Sequence, residues 1–206
     1  MEFGLKSIHQ LFPTPLLRFE VADCAALNQV LLAEIALRRS IEEGQTRSNR
    51  TGWHSQPDLF DRAEPGHRQL ATLLRAMIVE ATTNFDPSAD FQRIDVECEG
   101  WVNVNPRGAY NSPHDHPGAF WSGTYYVQVP AGERDAGTIE FIAPRQPLRS
   151  GGTVRGDLTA DKARVRPTAG TVLLFPGSLL HWVHPNDSEE ERVTIAFNAR
   201  FRRKSR

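Results

Sequence analysis

The sequence predicts a mainly β protein, a closed or sandwiched antiparallel sheet with two N-terminal helices packed on one side. Three observations carry that prediction. Apolar residues recur at helical spacing in two stretches before residue 90. From Phe91 onward the period changes to two, and short apolar runs alternate with turns rich in Gly, Pro and Asp. The order, helices first and then many strands, suits a sheet with its helices gathered on one face. The 206 residues fit one domain, with an N-terminal strand and helical cover over 1–90 and the β core over 91–206.

In chain order, residues 8–21 read as an entry strand, confined to a sheet edge by Pro13 and Pro15. Asp23 is placed as an N-cap. From Cys24 to about Glu43, Leu27, Val30, Leu31, Ile35 and Ile41 form a helical stripe that Gly44 ends. Residues 44–64 make a long polar connection in which Trp53 and His54 either lean into an active-site mouth or anchor a loop. Pro65 opens a second helix running to about Asn84, with Leu70, Leu74, Met77, Ile78 and Ala81 on one side. Ile94, Val96 and Cys98 then alternate with Arg93, Asp95 and Glu97, which makes Cys98 a small buried hydrophobe. Gly100 is read as a bulge, after which Trp101, Asn103 and Asn105 share a face. Further strands are expected at Trp121–Val129, Thr138–Ile142, Thr171–Phe175, Leu179–Val183 and Val193–Phe201, the first two joined as a hairpin by residues 131–137. Between Pro144 and Pro167 a second polar segment carries Arg145, Arg149 and Arg155, and reads either as a mobile flap or as a plain surface excursion.

Composition narrows the function. A formal net charge of −1 gives no global pull toward nucleic acid or membrane, and the basic end Phe201–Arg206 reads as a solvated terminus. Cys24 and Cys98 form neither a disulfide framework nor a Cys-x-x-Cys pair. No signal peptide or membrane span is read, so the expected setting is cytoplasmic. Quaternary state stays open, a homodimer being the assembly considered.

The stretch Gly108-Ala-Tyr-Asn-Ser-Pro-His114-Asp115-His116-Pro117-Gly118 carries the chemistry. Two histidines at i and i+2 of a strand point to one face while Asp115 points away. His181, inside the apolar run Leu-Phe-Pro-Gly-Ser-Leu-Leu-His181-Trp182, is the best third ligand, and His184 would face away from it. Imidazole suits Fe, Zn, Cu and Ni. Tyr125 and Trp182 read as core aromatics.

These residues also carry a family resemblance. Pro113-His114-Asp-His116-Pro-Gly118, Trp121-Ser-Gly-Thr-Tyr-Tyr126, Gly137-Thr-Ile-Glu-Phe141, Gly170-Thr-Val-Leu-Leu-Phe-Pro-Gly-Ser-Leu-Leu-His181 and Arg192-Val-Thr-Ile-Ala-Phe-Asn198 resemble a bacterial branch of the 2-oxoglutarate and Fe(II)-dependent oxygenases. Leu-Phe-Pro-Thr-Pro15 and Gly52-Trp-His-Ser55 look like the same branch. The resemblance implies a double-stranded β-helix, a cupin-like jelly roll, with flanking helices. It implies an oxidoreductase, a dioxygenase using iron and 2-oxoglutarate to hydroxylate an unidentified small-molecule or peptide substrate. It further implies that Arg192, helped by Thr194, binds the remote carboxylate of 2-oxoglutarate, with Asn103 and Asn105 as co-substrate contacts and Tyr110 as a weaker candidate. The alternative for Arg192 is an edge cation beside Glu189, Glu190 and Glu191. Where the family usually has a His-x-Asp/Glu…His triad, this chain has His116 at the acidic position. That leaves a three-histidine set of His114, His116 and His181, or a set in which Asp115 is the acidic ligand. Two rival functions remain: a cupin metalloenzyme that does not use 2-oxoglutarate, and a non-enzymatic binding or sensing barrel.

Overall fold

The computed structural model describes residues 4–131, 137–149, 153, 155–156 and 158–204. In chain order these form β1 (Leu17–Glu20), α1 (Cys24–Ile41), β2 (Asn49–Arg50), β3 (Trp53–His54), a 3-10 turn (Leu59–Asp61), α2 (Pro65–Phe85), β4 (Ile94–Asn105), β5 (Tyr110–His114), β6 (Trp121–Gln128), β7 (Ile139–Ile142), β8 (Lys162–Val165), β9 (Thr171–Pro176), β10 (His181–Val183) and β11 (Arg192–Arg203). A six-stranded sheet has the order β1-β9-β6-β11-β4-β3 and a five-stranded sheet the order β2-β5-β10-β7-β8. Every pair between these strands is antiparallel. Two such sheets facing each other, with both helices outside the larger one, make the expected double-stranded β-helix.

Alternation along β11 sets up the layers. Val193, Ile195, Phe197 and Ala199 pack with Leu31 of α1 and Leu70, Leu74 and Ile78 of α2 in the larger apolar cluster. Side chains of the opposite phase, among them Arg192, Thr194 and Ala196, face the second sheet and line the cavity between the sheets. A second cluster of Tyr126, Ile139, Phe141, Leu173, Phe175, Leu179 and Val183 fills the rest of that gap. Strand β9 therefore serves two cores, Val172 and Leu174 to one side and Leu173 and Phe175 to the other. That is why its sequence is a continuous apolar run rather than an alternating one.

Polar contacts fix the helical layer. The Glu34 carboxylate of α1 accepts the Gly66 and His67 backbone N–H groups at 2.8 and 3.0 Å and the His67 ring Nδ1–H at 2.6 Å. It thus caps α2 from a neighbouring helix, in place of the residue before Pro65. Tyr125 donates to Asn28 at 2.5 Å, and Trp121 donates to Thr82 at 2.9 Å. Buried Arg38 pairs with Glu42 and Asp58, both at 2.7 Å.

Several sequence expectations are corrected. The entry strand shortens to Leu17–Glu20, though it does lie at a sheet edge. Asp23 occupies the cap position in a left-handed conformation (φ 49°) and its side chain caps nothing. Val30 and Ile41 are 44% and 75% exposed, so the stripe of α1 is narrower than the sequence suggests. Gly100 is not a bulge: β4 and β11 stay in continuous register from Asn105↔Arg192 to Ile94↔Arg203. It is glycine because a Cβ there would lie 2.8 Å from Leu59 Cδ2, where the 3-10 turn packs on β4. Strands β6 and β7 are not a hairpin; they belong to different sheets, and residues 132–136 of their connection lie outside the described residues.

Both long polar segments also carry strands. Residues 44–64 contain β2 and β3, and 144–167 contains β8. Part of the flap reading (150–152, 154 and 157) lies outside the described residues. The first half of the basic end is strand: β11 runs to Arg203, with Arg202 paired to Glu97 at 3.0 Å across the ladder. Among the described residues no helix is long and apolar enough to cross a membrane.

Candidate metal centre

Three imidazoles converge between the sheets. His114 ends β5 and His181 begins β10, directly opposite each other in the ladder. His116 lies two residues past the end of β5, where its N–H donates to the Gly177 carbonyl at 2.8 Å. The pairing of His114 and His116 thus comes from a strand end and a turn rather than from one regular strand, as the sequence reading had it. One ligand atom from each of His114, His116 and His181 lies within 4.8 Å of the other two. Asp115 is exposed and takes no part in this group.

The protonation of two rings is set by the backbone. Nδ1 of His114 lies 2.7 Å from the Ser112 carbonyl, and Nδ1 of His181 lies 2.8 Å from the Leu179 carbonyl. A carbonyl only accepts, so each Nδ1 carries the proton and each Nε2 offers its lone pair. Burial disfavours the charged form of all three rings and is the largest cause of their lowered pKa values. His181 falls to about 3, with the neighbouring His114 adding to the effect. His116 falls to about 4, and His114 is lowered as well. Neutral imidazoles with free lone pairs at neutral pH are what a divalent cation requires, so these residues fit an iron ion.

Across the same cavity, on β11, lies Arg192. It is 2% exposed, its Nη1 donates to Thr194 Oγ1 at 3.4 Å, and its Nε has no partner. Among the described residues no carboxylate pairs with it. Its guanidinium lies over the Tyr126 ring, 5.1 Å from the centroid, and burial lowers its pKa. The alternative of a surface cation held by the acidic run does not hold: Glu189 and Glu191 pair with Arg107 and Arg39 instead. Further buried polar atoms without partners are Asn103 Oδ1, Tyr126 OH and Thr138 Oγ1. A buried cation with an unpaired Nε and an unpaired amide oxygen on the wall of the same cavity mark a place shaped for a polar ligand. The cavity has a volume of about 30 Å³ and opens to solvent.

The structure sorts the remaining candidates. Thr194 and Asn103 line the cavity with Arg192, whereas Asn105, Tyr110 and Trp53 do not. Asn105 is wholly buried and donates to Asn111 at 3.0 Å. Trp53 packs against the helical core and donates to the Glu42 carbonyl at 3.3 Å. His54 is buried behind the cavity wall, stacked on Trp101. His184 and Trp182 hydrogen-bond Glu140, outside the metal group. Tyr125 is core.

Sequence reasoning missed Trp101, Ser48, Asn111 and Ser122, all of which line the cavity. Trp101 was findable, since it alternates in phase with Asn103. Ser48, 3.5 Å from His114 Nε2, belongs to a segment with no periodicity to place it.

Comparison with known proteins agrees with this geometry. Residues 99–198 match the sequence model of a family described as "Putative 2OG-Fe(II) oxygenase". No curated protein matches the chain significantly. A Pseudomonas putida prolyl-4-hydroxylase is similar at 18% identity and TM-score 0.64, with 92% of this chain and 93% of that one covered. A Trichoplax adhaerens prolyl hydroxylase, solved with a hypoxia-inducible-factor peptide, is similar at 16% identity and TM-score 0.61, covering 89% and 82%. HygX from Streptomyces hygroscopicus, solved with nickel, 2-oxoglutarate and hygromycin B, is similar at 14% identity and TM-score 0.62, covering 90% and 82%. At these identities the structures establish the fold. Residues 99–198, which carry all three converging histidines and Arg192, are thus the part of this chain that matches the 2-oxoglutarate and Fe(II)-dependent oxygenases, a class of oxidoreductases.

Proposed function

We propose that this oxygenase holds iron through Nε2 of His114, Nε2 of His181 and a ring nitrogen of His116, binds 2-oxoglutarate through Arg192 and Thr194, and hydroxylates a C–H bond of a small molecule or peptide. One observation carries the proposal: three neutral imidazoles and a buried guanidinium whose Nε is unpaired face one cavity. Iron with bound 2-oxoglutarate supplies the oxidising chemistry, in which dioxygen converts the co-substrate to succinate and CO2 while the substrate C–H bond is oxidised.

The chain's own part is positioning. Arg192 and the Thr194 hydroxyl donate to the carboxylate remote from the keto acid. Asn103 adds an amide at the cavity wall, and the Tyr126 ring lies under the Arg192 guanidinium. Three neutral ligands leave the dication uncompensated by protein, which favours a dianionic co-substrate beside it. Ile139 and Val183 give the cavity apolar walls that limit water. We also take residues 1–206 as one domain, because the larger core joins Leu31 of α1, Leu70 of α2 and Ile195 of β11.

Anaerobic titration of metal-free protein with Fe(II) and then 2-oxoglutarate tests the proposal. A visible charge-transfer band is expected in the wild type and absent in His181→Ala. If iron binds and no band forms, the co-substrate reading fails; if His181→Ala binds iron like the wild type, the ligand assignment fails.

A further inference from the structure

The three histidines are not held alike. His114 and His181 each donate Nδ1–H to a backbone carbonyl two residues upstream. Neither ring nitrogen of His116 meets a hydrogen-bond partner among the described residues, and His116 stands in a turn closed by the Ala119 N–H on its carbonyl at 3.1 Å. Its ring does meet Trp101, with centroids 5.7 Å apart and planes tilted by 39°. Trp101 stands on β4 opposite Ala196 of β11, a short side chain that leaves the indole room over the cavity. The indole in turn lies almost parallel to His54, at 5.5 Å and 13°.

His54 is fixed from several sides. It is buried, its Nδ1 lies 2.7 Å from the Ser55 carbonyl, and it sits opposite Asn103 in the β3–β4 ladder. The strap that carries it is anchored at both ends: β2 pairs with β5 of the second sheet, and β3 pairs with β4 of the first. Thr51, between them at φ 59°, makes the change of sheet.

We propose that Trp101 is the positioning residue for His116, and that His54 holds Trp101 in place. The pair would select the ring orientation in which His116 can join His114 and His181 around one ion. This rests on the three-histidine reading above. An indole can do it because aromatic rings hold one another at defined offsets and angles. It also favours the loaded state, since an imidazole gains positive character on binding a dication and is drawn to the indole π-system. The hydrogen bond that orients the other two ligands is replaced here by a tilted aromatic contact.

Co(II) binding, followed by its visible d–d absorption together with thermal melting, tests the proposal without any turnover. Trp101→Leu should weaken Co(II) binding by about 10- to 100-fold, the usual cost of losing an outer partner of a ligand, and should alter the band shape. Trp101→Phe should restore most of the affinity and the wild-type spectrum. A lowered melting temperature in Trp101→Leu with unchanged Co(II) affinity and spectrum would mean a packing role only, and overturns the proposal. Should Trp101→Leu fail to fold, His54→Ala decides: weaker Co(II) binding with a changed band supports it, and wild-type behaviour overturns it. If the wild type itself binds no Co(II), the three-histidine assignment falls first and takes this inference with it.

Discussion

Replacing Arg192 with methionine separates a co-substrate anchor from a structural cation, because the two roles predict opposite signs. Methionine keeps the apolar stem and removes the charge. In the wild type the guanidinium is 2% exposed, its Nε is unpaired and, among the described residues, its side-chain hydrogen bond is the 3.4 Å contact to Thr194. Burial without a counter-charge opposes the folded, ligand-free state. The ligand-free variant should therefore melt at the wild-type temperature or a few degrees above it. Binding should move the other way. Truncating one partner of a buried, hydrogen-bonded charge pair costs about 2–5 kcal/mol, at least roughly 30-fold in affinity. In a melting assay with Mn(II)-loaded protein, 2-oxoglutarate at 100 times its Kd should stabilise the wild type by about 2.7 kcal/mol. For a chain of this length that is roughly 5–11 °C. Arg192→Met should keep no more than about a third of that shift. A ligand-free variant that melts several degrees lower and keeps the 2-oxoglutarate shift refutes the reasoning.

Two further outcomes follow from the same geometry. Metal-free protein should lose stability as pH falls from about 6.5 toward 4. His116 and His181 have folded pKa values of about 4 and 3, below the ordinary 6.5, so the unfolded chain takes up protons first; each contributes a slope of up to about 1.4 kcal/mol per pH unit. Melts at pH 7.5, 6.5, 5.5 and 4.5 should show a shallower slope in His181→Gln, and identical slopes would count against it. Gly137→Ala should weaken 2-oxoglutarate binding about tenfold, measured by the same Mn(II) melting shift. A Cβ there would stand 2.7 Å from Arg192 Cδ at a φ of 62°, so the guanidinium stem must move and the backbone is strained. Wild-type affinity in Gly137→Ala would show that the Arg192 stem can shift freely.

What the sequence determined by itself was whatever local periodicity and residue chemistry encode. The helices at Cys24–Ile41 and Pro65–Phe85 were legible from their stripes, and β4, β6, β9 and β11 from apolar runs and alternation. The convergence of the three histidines was legible too, from their type and spacing, whereas Arg192 came only with the family resemblance and beside the alternative of an edge cation. Strands β2, β3 and β8 were not legible, being two to four residues long and held by partners far away in the chain. Only the tertiary structure decided that β6 and β7 part into different sheets and that Gly100 is a packing site for Leu59. It alone placed Asn103 in the cavity and Asn105 outside it, although alternation puts both on one face. Periodicity tells which way a side chain points from its own strand; what stands opposite is fixed by the pairing of strands distant in sequence, and no local pattern encodes that.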